Sequence, residues 1–217
     1  MKRFLLVLPF FAAVLLASAP ARAQASVPTH EFFVEGSAAL GPLVFRSEEK
    51  TSSLGPSYGG GLGYTWHITP MLGVTTGGQV LFSNSGIKTD NHNEDLTDVS
   101  VLVPLMLQVM IPMQSNGHCF YAALGGKAGF LLHSVSRTSG EDLQEGEGGL
   151  YDTFHLKREN PQKRFFPMAA AETGFRWALK GGCGLYTGFF ADYGFPVQDS
   201  RAFSAGITLK FAFGKAQ

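Results

Sequence analysis

The chain has 217 residues, a one-domain size, with 17 basic and 17 acidic side chains and no net charge. That balance, without a basic cluster, excludes a nucleic-acid binder. Glycine (27 residues), phenylalanine (19) and a 45% hydrophobic content exclude an ordinary soluble helical domain and fit many strands joined by tight turns.

Residues 1–23 read as a secretory signal. Lys2 and Arg3 form a basic start, 4–16 an apolar core, and Ala21-Arg22-Ala23 an A-x-A cleavage site. Pro9 interrupts the apolar run, which is short for a membrane anchor. Cleavage removes Lys2, Arg3 and Arg22 and leaves a slightly acidic mature chain, 24–217. No later apolar run reaches the roughly 18 residues of a transmembrane helix.

From 32 onward the chain alternates with period two, the mark of a β-strand with two unlike faces. In 32–41, Phe32, Val34, Ala38 and Leu40 share the bulky face; Phe33, Glu35, Ser37 and Ala39 share the other. In 57–68, Tyr58, Leu62, Tyr64, Trp66 and Ile68 oppose a face of Gly, Ser, Thr and His67. In 71–83, Leu72, Val74, Val80 and Phe82 are bulky. In 98–111 the bulky set runs from Val99 to Ile111, and Pro104 marks an expected bulge. In 119–132, Tyr121 and Lys127 oppose Phe120, Leu124 and Phe130. In 165–179, Glu172 and Arg176 oppose Phe175 and Trp177. In 184–195, Tyr186 and Asp192 oppose Leu185, Phe189 and Tyr193. In 202–213, Lys210 opposes Phe203, Ile207, Leu209, Phe211 and Phe213.

These eight segments define an all-β, antiparallel, up-and-down barrel. Long polar connections (42–56, 84–97, 133–164, with the shorter 196–201) fall on one rim and short turns on the other, the pattern of a transmembrane barrel. Two points put the bulky face outward, toward lipid. An eight-stranded barrel is only wide enough inside for small sets of side chains. The small face also carries too few charges to be a soluble surface. Aromatics near strand ends, including Trp66 and Trp177, fit interfacial girdles.

The inward charges are Glu35, Glu172 and Asp192 against Lys127, Arg176 and Lys210. Buried charges must pair, so three against three predicts a lumen plugged by ion pairs; a gate or proton path is the alternative. Cys119 and Cys183 lie on the short-turn rim of an exported chain and form a candidate disulfide. One strand separates them, about 10 Å at the ladder spacing, against the ~7 Å a disulfide spans, so the rim must bend for the bond to close.

Ser204, Gly206, Leu209, Phe211 and Phe213 resemble the C-terminal assembly signal of outer-membrane β-barrels, although this chain adds Gly214-Lys215-Ala216-Gln217 after the final aromatic. Topology, parity and this signal together resemble the small OmpA/OmpX-type and PorT-like barrels. The resemblance implies an outer-membrane location, insertion by the barrel-assembly machinery, contact with outer-membrane lipid and lipopolysaccharide, and a non-enzymatic structural or surface-interaction role with a possible extracellular ligand of the loops. A small pore and a lipid A-modifying enzyme are the alternatives. For the enzyme, His133-Ser134-Val135-Ser136 is the nearest approach to a deacylase pattern, and its spacing is wrong. The remaining histidines are scattered without zinc-like spacing. No metal or cofactor is therefore expected.

Overall fold

The computed structural model describes residues 27–46, 51–53, 55–89, 92–113, 117–142, 152–159, 165–197 and 200–214. The expected signal segment 1–23 and the tail 215–217 lie outside the described residues. The strands are β1 (His30–Arg46), β2 (Thr51–Ser53), β3 (Pro56–Thr69), β4 (Leu72–Thr89), β5 (His92–Pro112), β6 (Cys119–Asp142), β7 (Asp152–Glu159), β8 (Phe165–Ala178), β9 (Cys183–Val197) and β10 (Ser200–Gly214). Eight of them pair antiparallel in one closed up-and-down barrel; the short β2 and β7 are accessory strands on β4 and β6. The last strand closes on the first, with Phe213 opposite Phe32, Lys210 opposite Glu35 and Ile207 opposite Ala38. Closure removes every edge from the barrel wall, which hydrocarbon requires of a spanning sheet.

Parity holds in three dimensions. Phe32, Leu62, Trp66, Leu105, Leu124, Phe189, Ile207 and Leu209 are exposed on the outside. Their neighbours Phe33, Thr65, Met106, Ala123, Thr208 and Lys210 are buried inside. The molecule is thus apolar outside and polar within, the reverse of a soluble barrel. The inward glycines follow from this geometry. A Cβ at Gly63 would run into the ring of Phe33 on the next strand, and one at Gly129 into the ring of Phe166. Each ring takes the space beside its glycine and helps fill the narrow interior.

The short turns gather at one rim. Thr69 Oγ1 accepts the backbone N–H groups of Met71 (3.3 Å) and Leu72 (3.0 Å) and so shapes the β3–β4 turn. A 3-10 turn at Lys180–Gly182 joins β8 to β9, with positive φ at Gly181 and Gly182. The opposite rim differs from expectation. The described residues within 84–97 and 133–164 do not form simple loops. The β4–β5 ladder runs on to Thr89 opposite His92, the β5–β6 ladder to His92 opposite Gly140, and β7 continues it to Asp142 opposite Asp152. Backbone outside the bilayer still gains from pairing, so the hairpins extend past the membrane.

Pro104 makes no bulge. It stays in register with Lys127. On its other side the β4–β5 ladder omits it between Thr76/Leu105 and Gln79/Leu102 without a shift, because proline has no N–H to give. Its carbonyl accepts the Thr76 hydroxyl (2.9 Å). The irregularity in β5–β6 lies instead where Val99 faces His133 and Ser100 faces Leu131. The extra residue turns Leu132 and His133 both outward and Ser134 inward.

Candidate functional site: the charged lumen

The lumen charges sit on staggered strands at successive depths. On β1, Glu31 lies two inward positions nearer the short-turn rim than Glu35, about 13 Å along the strand. Glu31 gathers three side chains. Arg176 donates to its Oε1 from Nε (3.2 Å) and Nη2 (2.5 Å). Tyr186 donates to Oε2 (2.5 Å), and His67 Nε2 lies 3.1 Å from the same oxygen. Glu31, His67, Arg176 and Tyr186 are all buried.

The middle layer is built around Lys210, directly across the β1–β10 ladder from Glu35. Lys210 Nζ donates to Glu172 Oε2 (2.8 Å) and lies 3.6 Å from Glu35 Oε2. Glu172 also accepts from the Tyr121 hydroxyl (2.6 Å), and Glu35 from Gln79 Nε2 (2.5 Å). The Lys210 ammonium sits 5.1 Å from the Phe33 ring centroid. The third layer is a pair, Lys127 Nζ to Asp192 Oδ2 (2.8 Å), with Phe190 beside the ammonium at 5.1 Å. Such charge-assisted bonds are the strong ones, and the aromatic faces add cation–π attraction.

All six charged residues expected inside are therefore inside and ion-paired. Glu172 and Arg176, four positions apart on β8, belong to different layers. Glu31 lies just before the first predicted segment, yet it shares parity with Phe33 and Glu35, and that signal would have found it. His67, Tyr121 and Tyr186 are legible as inward residues, but period two gives a face and no partner. With Glu31, four carboxylates are ion-paired with Lys127, Arg176 and Lys210, and the His67 ring also touches Glu31; Asp98, opposite the inward Ser83 and Ser134, stands outside these pairs.

The cysteines do not bond. Both are free thiols. Cys119 is buried inside with Tyr121, whereas Cys183 alternates with the inward Gly184 and is paired with the outward Phe213. They point to opposite faces of the wall, and β8 separates them. His133 and Ser134 are likewise divided. The β6 bulge leaves His133 outside and Ser134 inside, so they assemble no catalytic pair. Among the described residues no group of His, Cys, Asp and Glu is arranged to hold a metal ion. The residues that resemble an assembly signal all lie on β10, with Leu209, Phe211 and Phe213 outward and Ser204 buried.

Exposed aromatics gather near the short-turn rim. Phe32 packs with Tyr64 and Phe213, and Trp177 with His118 and Phe175. A closed antiparallel barrel with this band outside and an ion-paired interior is an eight-stranded outer-membrane β-barrel. No family model and no curated protein matches the chain. Among solved structures it is similar to the outer-membrane protein OprG from Pseudomonas aeruginosa, at 11% identity over 89% of this chain and 100% of that one, with a TM-score of 0.48. Neisserial surface protein A is similar at 14% identity over 85% and 97% of the two chains, TM-score 0.43. So is Ail, the attachment invasion locus protein of Yersinia pestis, at 14% over 85% and 99%, TM-score 0.43. These likenesses concern the fold alone; the barrel class rests on the closed ladder and the inverted surface described above.

Proposed function

We propose that this chain is a non-enzymatic outer-membrane barrel with a closed lumen, acting through the ladder it raises above the membrane. The observation that carries the closed lumen is the pairing of seven charged side chains across the interior: Arg176 with Glu31, Lys210 with Glu172 and Glu35, and Lys127 with Asp192. Ions entering such a lumen must break buried pairs, each costly to open on one side only. The surface role is supported by the continuation of β4, β5 and β6, with β7, beyond the wall. On this reading outer-membrane lipid and lipopolysaccharide surround the wall, and the barrel-assembly machinery reads the end of β10 during insertion. An extracellular ligand is held by the outer ladder.

Planar-bilayer recording of pure, refolded protein tests the lumen. Membranes carrying folded barrel are expected to show no steady conductance. A steady unitary current would overturn the closed-lumen reading in favour of a small channel.

A further inference from the structure

Three side chains at the base of the lumen are more deeply buried than an open barrel end allows. Cys119 is the first residue of β6, Met110 lies near the end of β5, and Ala212 near the end of β10. All three point inward at the short-turn rim, where water should reach them. Their exposures are 1%, 0% and 0%. Something covers them from below.

The cover is the stretch just before β1. Pro28 is among the fully buried side chains. Val27 packs against the base cluster of Phe33, Met110, Cys119, Tyr121, Tyr186 and Ala212. The carbonyl of Thr29 accepts the backbone N–H of His67 (2.8 Å), which pins this stretch to β3. On the far side Gly214 leaves room for it: a Cβ there would lie 2.7 Å from Pro28 Cβ. Proline suits the place, because it brings apolar bulk and no N–H that would need a partner in a dry base.

We infer that Val27, Pro28 and Thr29 form a stopper that closes the periplasmic mouth of the barrel. It is a second closure below the Glu31 layer, and it is held by apolar packing and one backbone hydrogen bond rather than by charge. This deepens the closed-lumen reading and rests on it for the orientation of the barrel. The two closures are separable. Withdrawing the stopper uncovers Cys119 and leaves the ion pairs above it in place.

Cys119 reports the stopper directly. In a Cys183→Ser background it is the single thiol, since Cys183 faces outward and takes no part in the lumen. Refolded protein is treated with a small water-soluble maleimide and followed by mass spectrometry. With the native stretch, Cys119 is expected to resist labelling. With Val27→Gly and Pro28→Gly together it is expected to label about tenfold faster or more, as a local opening becomes easier. Equal rates in two chains that both run as folded barrels on unheated gels would overturn the stopper. If the double variant does not fold, hydrogen exchange of the His67 amide in the unaltered protein decides. Protection like that of its β3 neighbours supports the bond to Thr29, and exchange at a loop-like rate overturns it. Conductance separates this inference from the closed lumen. The stopperless chain is expected to remain non-conducting. A conducting native chain with a protected Cys119 would sink the closed-lumen reading and leave the stopper standing.

Discussion

At the scale of single residues the lumen obeys one rule: a buried charge is tolerable only with its partners. Glu31 shows it best, with four donors shared between its two oxygens. Replacing Arg176 by Met leaves that carboxylate with only Tyr186 and His67. The expected cost is about 3–5 kcal/mol, as for other orphaned buried charges, read as a lower urea midpoint in detergent micelles. Lys127 and Asp192 form a more isolated pair, and Asp192 Oδ1 has no hydrogen-bond partner among the described residues. Lys127→Met alone is expected to destabilise strongly. Combining it with Asp192→Leu is expected to restore most of the midpoint, because no orphan charge remains. A double variant no better than Lys127→Met alone would show that the site needs its charges. The six residues in these ion pairs other than Glu31 were legible from parity alone. What parity could not supply was the pairing. Partners such as Arg176 and Glu31 are set by the stagger of strands far apart in sequence, and that stagger is fixed only when the barrel closes.

At the scale of elements, glycine separates the two faces of the wall. Inward, Gly188 lies where an added Cβ would meet the Tyr121 hydroxyl and come within 2.7 Å of the Thr173 carbonyl oxygen. That hydroxyl donates to Glu172, so Gly188→Ala strikes backbone and network together. A loss of about 1–3 kcal/mol is expected, as for overpacking elsewhere. Outward, Gly78 has nothing within 4 Å of an added Cβ. Gly78→Ala is expected to be neutral within about 0.5 kcal/mol. Equal urea midpoints for the two variants would contradict this assignment of faces. The strands were legible because hydrophobic alternation is strong within the wall. It weakens above the membrane, where neither face is buried against lipid, and so 84–97 and 133–164 read as loops although the described residues within them pair in ladders. Pro104 misled for a different reason. A missing N–H can be accommodated by omitting a ladder bond as well as by a bulge, and the Thr76 hydroxyl on its carbonyl is invisible in sequence.

At the scale of the whole molecule, the claim that organises the rest is that this barrel is inside out. Leu209 and Lys210 are successive residues of β10. Leu209 is 54% exposed and Lys210 is 8% exposed. In water that arrangement would waste an apolar side chain and pay to bury a charged one. In a bilayer both are favourable, since lipid solvates Leu209 and Glu172 and Glu35 hold Lys210. The same substitution therefore has opposite consequences in the two settings. Leu209→Arg on a soluble barrel would be neutral or would improve solubility. Leu209 lies between the exposed Phe203 and Phe213 near the ends of its strand, so in a bilayer it sits well inside the apolar band. There an outward arginine is expected to cost about 2–4 kcal/mol. Refolding from urea into phosphatidylcholine vesicles, scored by the mobility difference between heated and unheated samples, measures that loss. A Leu209→Arg chain that folded as readily as the unaltered one would place this face in water and bring down the membrane reading, together with the assembly role assigned to the end of β10.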